Sequence, residues 1–383
     1  MLCKRCGNND DNYFYHGSNG WYCRKCVSFK RILIDEDEKA MDYEVVPENS
    51  EYVLKYHLTP FQKEASDKTL KNLLDGKDVL LHCVCGAGKT EIVVESIANY
   101  LSRGLKVCYA ISRKEVVIEL EMRFKKIFPE ADVVSLYGGH HERLTGDIII
   151  CTTHQLYRYH NSFDLLVIDE ADAFPLSGNK ILFNVSLNAA KGQIIYSTAT
   201  VNDFLLKNIS SRNYEEVNLY IRPNLKPLNV PEITYGLKPF NYLKMFSLLK
   251  KMKGQCIVFI SSKEMTVRIY RILKHFFKIT YVYSDLDKRK ENIYDFRNKK
   301  YQFILSTTVL ERGITVKDVS VIILFDRKKA FERSAIVQMT GRVGRGLNSS
   351  GNSYLLSNVF DKEILKAMEE LKEANRNYEM SFL

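Results

Sequence analysis

The chain has 383 residues, 45% hydrophobic and 27% charged, a globular composition that excludes a mostly disordered protein. Its 56 Lys and Arg against 46 Asp and Glu leave a net charge of +10, a surplus that suits a polyanionic partner. No apolar run approaches the ~18 residues of a membrane span. An N-terminus without an apolar signal segment and an odd count of nine cysteines lead to the expectation of a soluble protein in a reducing cytoplasm.

The first block, residues 1–45, is organised by Cys3-Lys-Arg-Cys6 and Cys23-Arg-Lys-Cys26. Two such pairs supply the four soft ligands that tetrahedral zinc requires, so Cys3, Cys6, Cys23 and Cys26 are the expected zinc ligands. Residues 1–31 hold six basic side chains against Asp10 and Asp11, net +4, interleaved with Tyr13, Phe14, Tyr15, Trp21, Tyr22 and Phe29. Basic charge with aromatic faces is how single strands are gripped without sequence readout. A structural ribbon whose aromatics form its own small core fits the same residues. Metal release is expected to unfold this module and spare the rest of the chain.

The second block, 46–222, alternates helical patterns with short apolar runs at Asp78–Val84, Lys106–Ser112, Asp132–Leu136, Asp147–Thr152, Leu165–Asp169 and Gln193–Thr198. Unbroken Val/Ile/Leu runs are strands covered on both faces, which predicts a parallel α/β domain. The string Gly86-Ala87-Gly88-Lys89-Thr90 follows the first strand and opens a helix. Backbone N–H groups there can wrap phosphate, Lys89 can reach the β/γ oxygens, and the Thr90 hydroxyl can ligate Mg²⁺. Cys83 stands where such loops usually begin with Gly or Ala. At the end of a later strand, Asp169 is placed to hold Mg²⁺ and Glu170 to orient and deprotonate an attacking water.

Residues 223–231 contain Pro223, Pro227 and Pro231 without periodicity and are expected to be a linker. The third block, 232–383, repeats the α/β grammar at Gln255–Ser261, Ile279–Tyr283, Gln302–Thr307, Val319–Phe325 and Ser353–Leu356, then a helix at Asp361–Asn375. Within it, Gln338-Met-Thr-Gly341-Arg342-Val-Gly344-Arg345 is expected to present two arginines on one helical face. Guanidinium forks onto phosphate oxygens, the chemistry of an arginine finger; a basic helix for nucleic acid is the competing reading.

In this order the strings resemble superfamily 2 helicases over residues 55–358. The matches are Gln62, Gly86–Thr90 (motif I), Asp169–Asp172 (motif II), Ser197–Thr200 (motif III), Thr307–Gly313 (motif V) and Gln338–Arg345 (motif VI). Gln338 replaces the His of DEAD-box RNA helicases, and Ser197-Thr-Ala-Thr200 and Ser112-Arg113-Lys114-Glu115 also depart from them. With the four-cysteine module, Val84–Glu91 and Leu310–Thr315, the chain is similar to the ComFA family, the cytoplasmic ATPase of natural competence.

That resemblance implies two RecA-like lobes and an ATP-driven motor that moves single-stranded DNA into the cell. Lys89, Thr90, Asp169, Glu170, Arg342 and Arg345 would form the ATPase core, with Mg²⁺ on Thr90 and Asp169. Gln62 would read adenine, and Gly86, Ala87, Gly88, Gly313 and Gln338 would complete the nucleotide site. Arg113, Thr152, Thr153, Ser261 and Thr307 fall in motifs that touch the nucleic-acid backbone. A membrane DNA-uptake channel and other competence proteins are the implied partners, met at the inner face of the cell membrane. Only 24 residues, 314–337, lie between the motif V glycine and motif VI, and 38 follow Arg345, which favours a translocase over a strand-separating enzyme. An RNA-remodelling helicase and an ATP-switched adaptor are the other readings.

Overall fold

The computed structural model describes every residue except 30, 37, 38, 141, 312–315, 317, 327–330, 347, 348 and 383. The chain divides into two compact units, residues 1–83 with 88–219 and residues 84–87 with 220–383.

In the first unit a small antiparallel hairpin, β1 (Phe14–Gly17) and β2 (Gly20–Cys23), precedes a seven-stranded parallel sheet. Its strands are β3 (Asp78–Cys83), β4 (Val107–Ile111), β5 (Val133–Leu136), β6 (Ile148–Thr152), β7 (Phe163–Asp169), β8 (Ala190–Thr198) and β9 (Tyr214–Leu219). They lie in the order β5-β6-β4-β7-β8-β3-β9. The central runs are buried along their whole length, as in Val107–Ile111 and Ile148–Thr152, because helices cover both faces.

The second unit repeats the plan with β10 (Glu232–Tyr235), β11 (Gln255–Ile260), β12 (Ile279–Val282), β13 (Phe303–Ser306), β14 (Val319–Phe325) and β15 (Ser353–Ser357). These run parallel in the order β10-β15-β14-β11-β13-β12. All eleven expected strands form. The two strands of the parallel sheets not anticipated among the described residues, β9 and β10, are edge strands with polar outward residues such as Glu215, Glu216 and Glu232, which break the apolar run that marks a central strand.

The cysteine module belongs to the first unit, and its independence is less than expected. The four cysteines and Phe14 share an apolar cluster with Val185, flanked by Ile181 and Tyr157. Val185 and Ile181 lie on the helix Lys180–Ala189. That helix also reaches into the module's backbone: Asn184 Nδ2 donates to Cys6 O at 2.8 Å, and Asn188 Nδ2 donates to Lys4 O and Arg5 O, both at 2.7 Å. Gly7 has φ +67°, and a Cβ there would come within 2.9 Å of the Asn184 amide, so the turn needs glycine on two counts. Phe29 enters the main core of the unit and stacks 6.4 Å from His154. Module and sheet therefore fold against a common helix.

Candidate active site and metal centre

Parallel sheets place loops at the C-terminal ends of their strands, where ligands bind. Beyond β3 the chain turns through Gly86 and Gly88, with φ +86° and +87°, into the helix Lys89–Ile92. Left-handed glycines let successive N–H groups face one way, which is what a phosphate cradle requires. Gln62 lies against this turn: a Cβ on residue 88 would sit 2.4 Å from its Nε2. The Gln62 Oε1 caps its own helix, accepting from Thr59 N at 3.0 Å while Thr59 Oγ1 accepts from Gln62 N at 3.3 Å.

Asp169 ends β7 and is 8% exposed. Its Oδ1 accepts from Ser197 Oγ at 2.9 Å and from Glu170 N at 3.0 Å, and its Oδ2 accepts from Tyr109 OH at 2.9 Å. The Tyr109 hydroxyl also interacts with Thr90. Burial pushes Asp169 above its ordinary carboxylate range, opposed by the nearby Lys89 ammonium. A carboxylate so placed gains from a divalent cation, and Thr90 and Asp169 fit as the residues that would hold Mg²⁺. Glu170 follows with φ +56°, a conformation that side-chain-bearing residues keep only where the surroundings enforce it. Asp172 is latched instead of free for chemistry: Thr198 Oγ1 donates to its Oδ1 at 2.7 Å, and Thr200 Oγ1 donates to its Oδ2. Motif III thus holds both motif II aspartates through hydroxyls carried by and beyond β8.

Tyr109, Ser197, Thr198 and Thr200 were not assigned these roles from the sequence. The available signal was one hydroxyl in the apolar run Val107–Ile111, since a buried tyrosine O–H needs a partner.

In the second unit Gln338 is buried on the helix Arg333–Thr340. The expected helical face for the two arginines is not what forms. The helix ends at Thr340 with Gly341 as its cap, and Arg342–Arg345 lie in the turn beyond, where Gly344 takes φ +72°. Glycines at 341 and 344 stop the helix before its face can reach the second arginine. Arg342 is 3% exposed and donates from Nε to Glu311 O at 3.1 Å; Arg345, half-buried, donates from Nε to Gly341 O at 2.9 Å. Gly313 lies outside the described residues.

The five expected nucleic-acid contacts all sit at or just past C-terminal strand ends. Arg113 caps the helix Lys114–Ile127 after β4, Thr152 and Thr153 close β6, Ser261 follows β11 and Thr307 follows β13. Arg113, Ser261 and Thr307 are partly exposed, whereas Thr152 and Thr153 are buried.

The four module sulfurs lie within 4.8 Å of one another, with Cys3 Sγ to Cys26 Sγ at 3.6 Å and Cys6 Sγ to Cys23 Sγ at 3.8 Å. A zinc tetrahedron with ~2.3 Å arms has edges of about 3.8 Å. Hydrogen bonding to Cys3, then Cys6, pushes the Cys26 thiol up, so ionising it beside its neighbours is favoured by a bound cation. The residues fit zinc. Because Val185 shares their cluster, Cys3→Ser should release the metal and also lower the melting temperature of the first unit, checked by metal analysis and calorimetry.

Residues 55–203 match the family described as type III restriction enzyme, res subunit, and residues 239–346 match the helicase conserved C-terminal domain. The chain is 30% identical to "Competence protein ComFA" of Streptococcus pneumoniae, covering 98% of this chain and 90% of that protein. It is 31% identical to "Competence protein ComFA" of Bacillus subtilis, covering 97% and 85%. The chain belongs to the ComFA family. Its fold is shared with S. cerevisiae Dbp5 bound to RNA and ADP BeF3, at TM-score 0.61 and 16% identity over 83% of this chain and 91% of that one. Mss116p bound to ssRNA and AMP-PNP gives TM-score 0.63 at 18% identity, over 83% and 72%. This ComFA-family chain is accordingly a nucleic-acid-dependent ATPase on a two-lobed superfamily 2 framework with an N-terminal four-cysteine cluster.

Proposed function

We propose that the chain is an ATP-driven motor that translocates on single-stranded DNA and powers DNA import during natural transformation. The observation that carries this reading is similarity along nearly the whole chain, module included, to two competence proteins. Lys89 is assigned the β/γ-phosphates and Glu170 the proton of the attacking water. Arg342 and Arg345 are assigned the charge that develops on the transferred phosphoryl group. Bound Mg²⁺ would supply charge neutralisation at Thr90 and Asp169. Gln62 and Gln338 are assigned to the nucleotide, and Arg113, Ser261 and Thr307 to the nucleic-acid backbone.

The module is assigned a grip on the strand. Tyr13, Tyr15 and Trp21 are 42%, 50% and 40% exposed, and Lys25 Nζ lies 3.9 Å from the Tyr13 ring centroid. Such a face offers base stacking and backbone charge together. Among the described residues no helix is long and apolar enough to cross a membrane.

The test is ATP turnover with single-stranded DNA, duplex DNA and RNA in one buffer. Single-stranded DNA should stimulate most, with a steep fall as salt rises. Stimulation by RNA alone would overturn the reading in favour of RNA remodelling. Turnover that ignores all three would favour an adaptor.

A further inference from the structure

Asn224 of the segment expected as a linker, and Arg222 just before it, bond to the turn that carries Arg345, and Lys226 bonds just beyond that turn. Asn224 Nδ2 donates to Gly344 O at 2.8 Å and to Gly346 O at 3.0 Å, the carbonyls on either side of Arg345. Arg222, 3% exposed, donates from Nη1 to Val343 O at 2.9 Å and from Nη2 to Gly341 O at 3.4 Å. Lys226 Nζ donates to Ser349 O at 3.1 Å. With φ of +72° and +111°, Gly344 and Gly346 take the turn out of any helical ladder, so these carbonyls need outside donors. The amide orientation follows from the same pattern, since a flipped Asn224 would set its oxygen against two carbonyls.

The opposite side of the strap is tied down as well. Asn375, on the helix Lys362–Met380, accepts from Leu228 N at 2.8 Å and donates to Leu228 O at 3.0 Å. Tyr378 OH donates to Leu225 O at 2.7 Å. Leu225 itself is left-handed at φ +53°, a conformation a leucine keeps only when its neighbours fix it.

We propose that Asn224 is a positioning residue for Arg345, fixing from both flanks the backbone that aims its guanidinium. This rests on the role assigned above to Arg345. A finger works by preorganisation, and misplacing it by about 1 Å costs on the order of 10²-fold in rate. A buried guanidinium that spends its donors on the same turn, and a lysine that bonds just beyond it, are hard to explain as chain connection alone.

The test is single-turnover hydrolysis in Asn224→Ala, Arg345→Ala and the double variant, with ATP affinity and melting temperature measured on each. Asn224→Ala should slow hydrolysis about 10- to 100-fold with ATP affinity changed less than about threefold. In the Arg345→Ala background it should cost less than about threefold further, because there is no finger left to aim. Asn224→Asp removes the donors but keeps the acceptor for Lys226 N at 3.2 Å, and replaces the alanine variant if that one fails to fold. Normal hydrolysis in Asn224→Ala, or an additive loss in the double variant, overturns the proposal while leaving the role of Arg345 intact. Normal hydrolysis in Arg345→Ala removes that role and the proposal with it.

Discussion

Glu170→Gln is expected to bind ATP with near wild-type affinity and to hydrolyse it about 10²–10⁴-fold more slowly, the usual worth of a general base. The amide keeps the shape of the side chain and loses only its proton-accepting charge. The neighbouring carboxylates have other partners: Asp169 is bonded to Ser197, Tyr109 and the Glu170 N–H, and Asp172 to Thr198 and Thr200. Neither is placed to substitute for the missing base. Phosphate release measured beside nucleotide binding separates the two effects, and Lys89→Ala provides the contrast by losing affinity as well. Full turnover in Glu170→Gln would assign the proton to another group.

The largest loss is expected for the arginine turn. Arg342→Ala and Arg345→Ala should each reduce turnover by about 10³–10⁵-fold, the range for a finger in related phosphoryl transfer. The two differ in their side effects. Arg342 is buried with its Nε on Glu311 O, so its removal leaves a carbonyl without that donor and should lower the melting temperature too. Arg345 is half-buried, and its loss should leave folding almost untouched. Arg345→Lys keeps the charge without the planar fork and should recover only a small part of the rate. If turnover held while nucleic-acid affinity fell, the turn would be a nucleic-acid contact.

The parallel sheets were legible because strands buried on both faces leave unbroken apolar runs, and Val107–Ile111 or Val319–Phe325 admit few other readings. The turn after β3 was legible for a related reason, since the glycines at 86 and 88 both take the left-handed conformation that few residue types allow. Edge strands β9 and β10 escaped because charge on an edge protects it from mispairing and erases the run. The arginine turn was misread as helix because residues three apart share a helical face only if the helix lasts that long, and Gly341 and Gly344 end it. The docking of the cysteine module was invisible because its donors, Asn184 and Asn188, look like ordinary polar positions on a helix. Only the fold brings them to the carbonyls of residues 4–6.

The helix Lys180–Ala189 that carries those asparagines runs without a break into β8, which delivers Ser197 and Thr198 to the two aspartates. The module is therefore no detachable cartridge. A truncated chain beginning after residue 45 would bare Ile181, Val185 and Tyr157 to water and invite aggregation before any question about the motor was asked. Surface exchanges at Tyr13, Trp21 and Lys25, which leave the sulfurs and the shared helix alone, can test the proposed grip on the strand separately from folding.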